Sequence, residues 1–268
     1  MPAEILHKDL SYQIVGCVFD VHNEVGPGLR EECYQKAMEH RLREKGIPFL
    51  AKPATRREFH YRGQCVDVFE PDLVVADRIV LELKHHIEGF APENVSQTIS
   101  YLKFWKLDLG LLINFAMDSA NIERIPFQPP EAAVEEDYDH IADFIPESLK
   151  PVLRSIREGL LRLHQDVGLG YTATTYHSLA QVEWQGSGLA CESEPRVEPL
   201  FRERRLPESR ISPIIVDHKV CVQVEAVADD ISARAIRTMQ THLRLTKCAI
   251  GLVACFGKTR MLIRGVRP

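Results

Sequence analysis

The sequence predicts an α/β protein made of two similar units, each with a central mixed sheet flanked by helices. Segments with apolar residues at helical spacing are followed by short runs rich in β-branched residues, and this order occurs twice along the chain. The composition is that of a globular protein, since 45% of the 268 residues are hydrophobic and 26% are charged. This length is sufficient for one large or two small domains.

Sequence matches at a nearly constant offset indicate a tandem duplication. Residues 21–28 return as residues 163–170, and the offset of 142 changes once, to 141, further along the chain. The other matched pairs are Tyr34 with Tyr176, Gly46 with Gly188, Pro53 with Pro195, Leu102 with Leu243, Lys106 with Lys247, Gly110 with Gly251, and Phe115 with Phe256. Ordered matches with one change of register are typical of a repeat. Chance similarity between two α/β units is the alternative.

The predicted domains are residues 1–127 and 151–268, joined by an acidic linker at 128–150. Residues 131–150 carry one basic and seven acidic side chains, and prolines precede them, as is typical of a linker. The second domain is the basic one, with 17 basic and 12 acidic side chains.

Each copy is predicted to run helix, helix, three strands, helix, strand. In the first copy, Gly26-Pro27-Gly28 ends the first helix and Gly46 follows the second. The apolar residues at helical spacing are Ile14, Cys17, Val18, Val21 and Val25 in the first helix, and Tyr34, Ala37, Met38 and Leu42 in the second. The later elements are strands at about 48–61 and 65–84, a helix at about 92–106, a buried strand at 109–115 and an edge strand at 121–125.

A pair of strands brings two acids and a lysine together. Asp72 lies in one β-rich run and Glu82-Leu83-Lys84 in the next, with residues 76–78 as the turn between them. Glu82 and Lys84 face the same way because side chains alternate along a strand. A buried polar face needs a partner, and a metal ion bound by Asp72 and Glu82 would supply one. The alternative is a surface hairpin with a Glu82–Lys84 ion pair.

Two further motifs accompany this hairpin. Gly28, Glu31 and Tyr34 form a Gly-x-x-Glu-x-x-Tyr motif after the Gly-Pro-Gly break, and Gln97 and Tyr101 form a Gln-x-x-x-Tyr motif in the third helix. With the Asp and Glu-Leu-Lys of the hairpin, they resemble the motifs of the GxxExxY family, a branch of the PD-(D/E)XK nuclease-like superfamily. The resemblance spans about residues 10–125 and depends on the order of motifs that are each common alone.

The resemblance implies two restriction-endonuclease-like units with an αβββαβ core and metal-dependent hydrolysis of phosphodiester bonds in nucleic acid. It implies Asp72 and Glu82 as metal ligands, with the backbone carbonyl of Leu83 as a third. Mg²⁺ prefers oxygen ligands and keeps several waters, so two carboxylates suffice, and Mn²⁺ is expected to substitute for it. Lys84 is then expected to orient or activate the attacking water, or to stabilise developing negative charge.

Three more residues are candidates for the same site. Glu31 resembles a helical glutamate that some superfamily members direct at the metal, and a solvated helix residue is the alternative. Gln97 and Tyr101 share a helix face, so one is expected to contact the metal-bound water or the nucleic-acid backbone and the other to support it. Tyr34 is interpreted as a packing residue. His22 is open to a role at the site or to local hydrogen bonding.

The second copy has lost this chemistry. The replacements are Ala173 for Glu31, Pro213 for Asp72, Gln223 for Glu82, Glu225 for Lys84, Thr238 for Gln97, and His242 for Tyr101. Without the carboxylates, the same metal geometry is not available. We therefore predict a folded, inactive copy and an intramolecular pseudo-dimer, with which a monomeric protein is compatible.

A basic surface is predicted in the second copy. Its members are Arg202, Arg204, Arg205 and Arg210 near the strands, and Arg234, Arg237, Arg244 and Lys247 at helical spacing. Such a surface is suited to neutralise phosphates, so nucleic acid is the expected partner, with DNA favoured over RNA. The alternatives are a solvated face, or a copy that only replaces the second subunit of an ancestral dimer.

Other features of the sequence bear on the cellular location of the protein and on alternative functions. No run of 18 apolar residues occurs and the N-terminus lacks a basic region before an apolar stretch, so a membrane span and a secretory signal are not predicted. Seven scattered cysteines without a CxxC pair favour a reduced, cytoplasmic setting. The competing functions are a non-catalytic nucleic-acid-binding or regulatory module, and an enzyme of different chemistry on the same metal site.

Overall fold

A computed structural model describes residues 5–130, 133–226 and 230–268. The chain divides into two compact units, Met1–Phe59 with Val68–Gln128, and His60–Asp67 with Pro129–Pro268. Both units contain a mixed sheet and flanking helices, which confirms the predicted fold class. Within the described ranges, no helix combines the length and the apolar content that crossing a membrane requires.

The first unit is a five-stranded mixed sheet with three helices. The helices are α1 (Lys8–Val25), α2 (Glu31–Glu44) and α3 (Pro92–Trp105). The strands in this part of the chain are β1 (Phe49–Ala51), β2 (Arg57–Tyr61), β3 (Gln64–Phe69), β4 (Leu73–Val75), β5 (Ile79–Lys84), β6 (Leu109–Asn114) and β7 (Asn121–Pro126), of which β2 and β3 are divided between the two units. The sheet order is β1-β4-β5-β6-β7, in which β5 and β6 are parallel and the other neighbours are antiparallel, while β2 and β3 pair separately.

The two faces of β5 carry different kinds of side chain. Ile79, Leu81 and Leu83 are buried in a core shared with α1 and α2, so Glu82 and Lys84 point to the opposite face. The helices supply that core with Ile14, Cys17, Val18, Val21, Tyr34, Met38 and Leu42, at the spacing of one helix face. Helix α3 contacts β5 and β6. The sheet face that carries Glu82 and Lys84 is therefore covered by a helix.

The second unit contains a six-stranded sheet and repeats the plan of the first. Its helices are α4 (Lys150–Val167), α5 (Ala173–Gly186) and α6 (Ala233–Thr246). Its strands are β8 (Ala133–Asp137), β9 (Cys191–Ser193), β10 (Arg196–Val197), β11 (Leu200–Phe201), β12 (Arg204–Arg205), β13 (Ser209–Arg210), β14 (Ile214–Val216), β15 (Val220–Ala226), β16 (Ile250–Phe256) and β17 (Arg260–Val266). The sheet order is β8-β17-β16-β15-β14-β9, with two short two-stranded pairs beside it.

The repeat holds at the level of individual residues. Helices α1 and α2 correspond to α4 and α5 with an offset of 142 at both ends, and α3 corresponds to α6 with an offset of 141. Strand pairing gives the same result: Phe49 pairs with Val75 in one unit, and Cys191 with Val216 in the other. The one-residue change in register therefore falls between β1 and β4, in the segment that contains the β2–β3 hairpin.

Two glycines allow a helix to approach the sheet closely in both units. A Cβ added at Gly110 would lie 2.5 Å from Thr98 Cγ2, and one added at Gly251 would lie 2.6 Å from Met239 Sδ. Both distances are far inside van der Waals contact. The glycine pair found in the sequence therefore reflects helix–strand packing of α3 on β6 and of α6 on β16.

An ion pair between the first two helices is retained with its charges exchanged. Arg41 on α2 pairs with Asp20 on α1 at 2.6 Å, and at the corresponding positions Glu183 on α5 pairs with Arg162 on α4, also at 2.6 Å. Glu183 is fully buried and also pairs with Arg62 at 2.7 Å, within the second unit. The same geometry with opposite charges supports a common origin of the two units.

The segment predicted as an acidic linker contains secondary structure over much of its length. Residues 133–137 form β8, which pairs in parallel with β17, and short 3₁₀ helices follow at Asp139–Phe144 and Glu147–Leu149. Ile141 is buried in a small core with Leu149 and Ile250. Glu131 and Ala132 of the predicted linker lie outside the described residues.

Arginines explain why such an acidic segment joins a sheet. Glu135 pairs with Arg260 at 2.9 Å and Asp137 with Arg264 at 3.2 Å, both across the β8–β17 pair. Both arginines lie more than 120 residues away in sequence, so the local composition gave no sign of them.

Candidate active site

The strand register places three charged residues in one row. Ala51 pairs with Leu73, and Leu73 pairs with Leu81. Continued by one residue, the same register sets Asp72 between Lys52 and Glu82. Residues directly opposite each other in antiparallel strands project from the same face, so all three side chains share the face that also carries Lys84.

Asp72 is held by both of its carboxylate oxygens. Its Oδ2 accepts a hydrogen bond from the Leu83 backbone N–H at 2.7 Å, and its Oδ1 pairs with Lys52 Nζ at 2.6 Å. The side chain is only 1% exposed. Burial works against the charge of Lys52, but its hydrogen bond with Asp72 and the attraction of the nearby acids raise its pKa. The structure thus pairs Asp72 with a cation that sequence reasoning missed.

Glu82 has one satisfied oxygen and one without a partner. Its Oε1 accepts a hydrogen bond from Lys84 Nζ at 2.7 Å, whereas Oε2 is buried and has no hydrogen-bond partner among the described residues. Burial, together with the charge of Asp72, raises the pKa of Glu82 to about 7, although Lys84 and Lys52 oppose the rise. A buried carboxylate oxygen without a partner is costly unless something binds it.

Leu83 contributes through its backbone. Its N–H donates to Asp72, and its side chain is buried in the core below the sheet. Leu83 therefore ties Asp72 to β5, the strand that carries Glu82, and its role as a carbonyl ligand remains a prediction.

Glu31 lies close enough to the row to interact with it electrostatically. It is the first residue of α2 and is partly buried. Burial and the charge of Asp72 raise its pKa, while the positive charges of Lys84 and Lys52 oppose that rise. Glu32 beside it is exposed, as a solvated helix residue would be. The environment of Glu31 is therefore different from that of a solvated helix residue.

Gln97 and Tyr101 contact each other. Gln97 Nε2 donates to the Tyr101 hydroxyl at 2.9 Å, as their spacing on α3 predicts, and Tyr101 packs edge-on against Phe69. No hydrogen bond among the described contacts joins Gln97 to Asp72 or Glu82. Their contact with metal-bound water or with substrate remains a prediction.

Tyr34 and His85 hold the Gly-Pro-Gly break in place. The Tyr34 hydroxyl donates to the Gly26 carbonyl at 2.8 Å and accepts from the Leu29 N–H at 3.1 Å. His85 stacks on Tyr34 and accepts from the Gly28 N–H at 3.3 Å. In the second unit Tyr176 makes the same bond to the Gly168 carbonyl, so the motif tyrosine has a structural role in both units.

His22 and Asn114 are satisfied by local bonds. His22 Nε2 lies 2.9 Å from the Met117 carbonyl, which agrees with the local-bonding interpretation. The buried Asn114 donates to the His86 carbonyl at 2.7 Å and accepts from the His86 and Ala116 N–H groups at 3.1 Å. Asn114 therefore fixes the chain directly after Lys84, a role that could not be recognised from the sequence.

The comparison with known protein families agrees with this geometry. A family model described as the PD-(D/E)XK nuclease superfamily matches residues 8–125 and matches a second time at residues 150–266. The chain belongs to the PD-(D/E)XK nuclease superfamily. None of the curated proteins matches the chain. The ends of the two matched regions differ by 142 and 141 residues, the offsets found in the strand register.

The membership gives the buried row a chemical setting. PD-(D/E)XK nucleases act on nucleic acid and generally use divalent metals. Glu82 Oε2 is a buried oxygen that none of the described residues hydrogen-bonds, and Glu82 lies on the same face as Asp72, so the donor set fits a hard divalent cation.

The second PD-(D/E)XK unit keeps the strands and lacks the acids. Gln223 accepts a hydrogen bond from the Ser212 hydroxyl at 2.9 Å, and Pro213 stands where the first unit has Asp72. Burial alone raises the pKa of Glu225, which occupies the position of Lys84. Among the described residues, Glu225 forms no ion pair, and Gln223 carries no charge.

The predicted basic residues are exposed but differ in their partners. Arg205 pairs with Glu198 at 3.1 Å, and Arg202 stacks over the Phe201 ring at 5.4 Å. Arg204 lies in the same hairpin, while Arg234 and Arg237 lie on the exposed side of α6. These five residues therefore occupy two separate elements of the PD-(D/E)XK unit, and their binding of nucleic acid remains a prediction.

Proposed function

We propose that the protein is a metal-dependent nuclease of the GxxExxY branch that hydrolyses phosphodiester bonds through its first unit. The observation that carries this proposal is the row of two buried carboxylates beside two lysines, in which Glu82 Oε2 has no hydrogen-bond partner within the described part of the chain. Burying such a set costs free energy that the fold does not require, because the second unit folds without it.

Asp72 and Glu82 would hold the metal, with Mg²⁺ as the proposed ion and Mn²⁺ as a substitute. When bound, such an ion polarises the phosphate and lowers the pKa of a bound water. The Leu83 N–H fixes the Asp72 carboxylate against β5, the strand that carries Glu82, so this ligand is held in place before binding. Its carbonyl is proposed as a further ligand.

Lys84 is the proposed catalytic cation. Its side chain is only 11% exposed and is fixed by its bond to Glu82. An ammonium in this position would orient the attacking water and stabilise negative charge on the phosphoryl oxygens. Glu31 is proposed to accept a proton or to bind a metal-bound water, and Gln97, supported by Tyr101, to contact water or the nucleic-acid backbone.

The second unit is proposed as an inactive partner that completes a pseudo-dimer. Its exposed arginines, Arg202, Arg204, Arg205, Arg234 and Arg237, would attract nucleic acid, with DNA favoured over RNA. Binding through such residues should weaken steeply as salt rises.

Digestion assays test the proposal. Single- and double-stranded DNA and RNA are incubated with the wild type, Asp72→Ala and Glu82→Gln in Mg²⁺, Mn²⁺ or EDTA. We expect cleavage by the wild type with metal and its loss in EDTA and in both variants. Gln223→Ala in the second unit is the matched control and should cleave like the wild type. Cleavage that survives both Asp72→Ala and Glu82→Gln would contradict the proposed site.

A further inference from the structure

Lys52 is bound to Asp72 by two separate contacts. Its side-chain Nζ lies 2.6 Å from Asp72 Oδ1, and its backbone N–H donates to the Asp72 carbonyl at 3.1 Å. The backbone contact continues the β1–β4 pairing, so it sets the position of Lys52 independently of the side chain. The lysine is 32% exposed, whereas the aspartate is buried, and its ammonium therefore lies where the buried row meets the solvent.

The Lys52 ammonium is bound to the Asp72 oxygen that a metal ion would need as a ligand. Asp72 Oδ2 already accepts the Leu83 N–H, so Oδ1 is the oxygen with more capacity to bind a cation. Lys52 is on that oxygen. A divalent ion that binds Asp72 must therefore displace the Lys52 ammonium or share Oδ1 with it against charge repulsion.

The second unit indicates that the fold does not need this lysine. Glu194 stands at the corresponding position, immediately after β9, and it is exposed. The β9–β14 pairing nevertheless has the same register as β1–β4. Lys52 has therefore changed together with the acids and with Lys84, as expected of a residue that serves the same site.

We propose that Lys52 is a positioning residue that exchanges with the divalent metal at Asp72. In the metal-free protein it holds the carboxylate in place and offsets its charge. Once the metal holds Asp72, the ammonium is free to pair with a phosphate of the nucleic acid at the open side of the row. This inference rests on the proposed nuclease function, but its metal-binding half can be tested without cleavage.

Calorimetric titration with Mn²⁺ tests the exchange. Lys52→Met removes the charge that competes with the metal for Asp72, so we expect Mn²⁺ to bind about tenfold more tightly. The size of this effect follows from carboxylates in general, because an opposite charge at this distance shifts their binding equilibria by about one pK unit or more. At saturating Mn²⁺, the same variant should cleave nucleic acid at least about tenfold more slowly, because the phosphate loses a cation. Lys52→Arg keeps the charge and should show neither change, and Glu194→Met is the matched control in the second unit.

The outcomes separate this inference from the proposed function. An Mn²⁺ affinity that is unchanged or weaker in Lys52→Met overturns the exchange, whatever the protein cleaves. Tighter binding in a protein that cleaves no substrate supports the exchange and counts against the nuclease function. If Lys52→Met does not fold, Lys52→Gln provides the same comparison, because its amide donates a hydrogen bond to Asp72 without carrying a charge.

Discussion

The two units share an arrangement of helices and paired strands, but only the first carries the row of charges at its proposed metal site. In the first unit, the row on the face of β4 and β5 consists of Lys52, Asp72 and Glu82, with Lys84 beside them. At the corresponding positions the second unit has Glu194, Pro213, Gln223 and Glu225. Because the helices and strand pairings correspond, the comparison indicates that these charges serve a function other than folding.

The largest expected difference between the units is in catalysis. Lys84→Ala should lower the cleavage rate by about 10²–10⁴-fold, the usual contribution of a group that transfers a proton or stabilises charge. Glu225→Ala, at the same position of the second unit, should leave the rate unchanged. Single-turnover cleavage at saturating metal measures both, and a large loss in Glu225→Ala would contradict the assignment of the second unit as inactive.

The exchanged ion pair predicts the next largest difference, in stability. Arg162→Ala leaves the buried Glu183 with fewer partners and should cost about 2–3 kcal/mol of unfolding free energy, less than a fully buried pair because Arg162 is partly exposed. Asp20→Ala breaks the half-exposed pair with Arg41 and should cost no more than about 1 kcal/mol. Urea unfolding measures both costs, and equal values would show that burial does not distinguish the two pairs.

A smaller difference is expected at the two close-approach glycines. The methyl group of Gly110→Ala would clash with Cγ2 of the buried Thr98, whose β-branched side chain is stiff. We therefore expect a loss of about 1–2 kcal/mol in unfolding free energy. Gly251→Ala would press on the Met239 thioether, which can move, so a cost below about 1 kcal/mol is expected. Thermal unfolding ranks the two variants, and the reverse order would contradict this packing explanation.

The raised pKa of Glu82 predicts that metal binding to the first unit depends on pH. Below a pKa of about 7 the carboxylate is protonated, so a metal must displace a proton, and affinity falls as the pH falls through that value. Mn²⁺ should therefore bind about tenfold more tightly at pH 8 than at pH 6. Calorimetry in buffers of different ionisation enthalpy would also detect the released proton, and a pH-independent affinity would contradict the assignment of Glu82 as a ligand.

Features set by local periodicity could be predicted from the sequence. The alternation in β5 placed Glu82 and Lys84 on one face, and the turn at residues 76–78 set Asp72 opposite Glu82. The spacing on α3 predicted the contact between Gln97 and Tyr101. In each case the residues involved lie within a single helix or hairpin.

Features that depend on pairing between distant segments could not be predicted. Lys52 reaches the site only because β1 pairs with β4. The β2–β3 hairpin lies between these two strands in the sequence. Strand β8 forms because Arg260 and Arg264 of β17 neutralise its acids. Asn114 has an ordinary strand position until the chain after Lys84 folds against it.

Anomalous scattering from a crystal soaked in Mn²⁺ tests the central difference between the units most directly. We expect one Mn²⁺ peak per chain within coordination distance of Asp72 and Glu82, and none beside Gln223 and Glu225. Glu82→Gln should remove that peak without disturbing the fold. A saturating soak that leaves the Asp72–Glu82 pair without Mn²⁺, or that fills both units equally, would contradict the assignment of the metal site to the first unit alone.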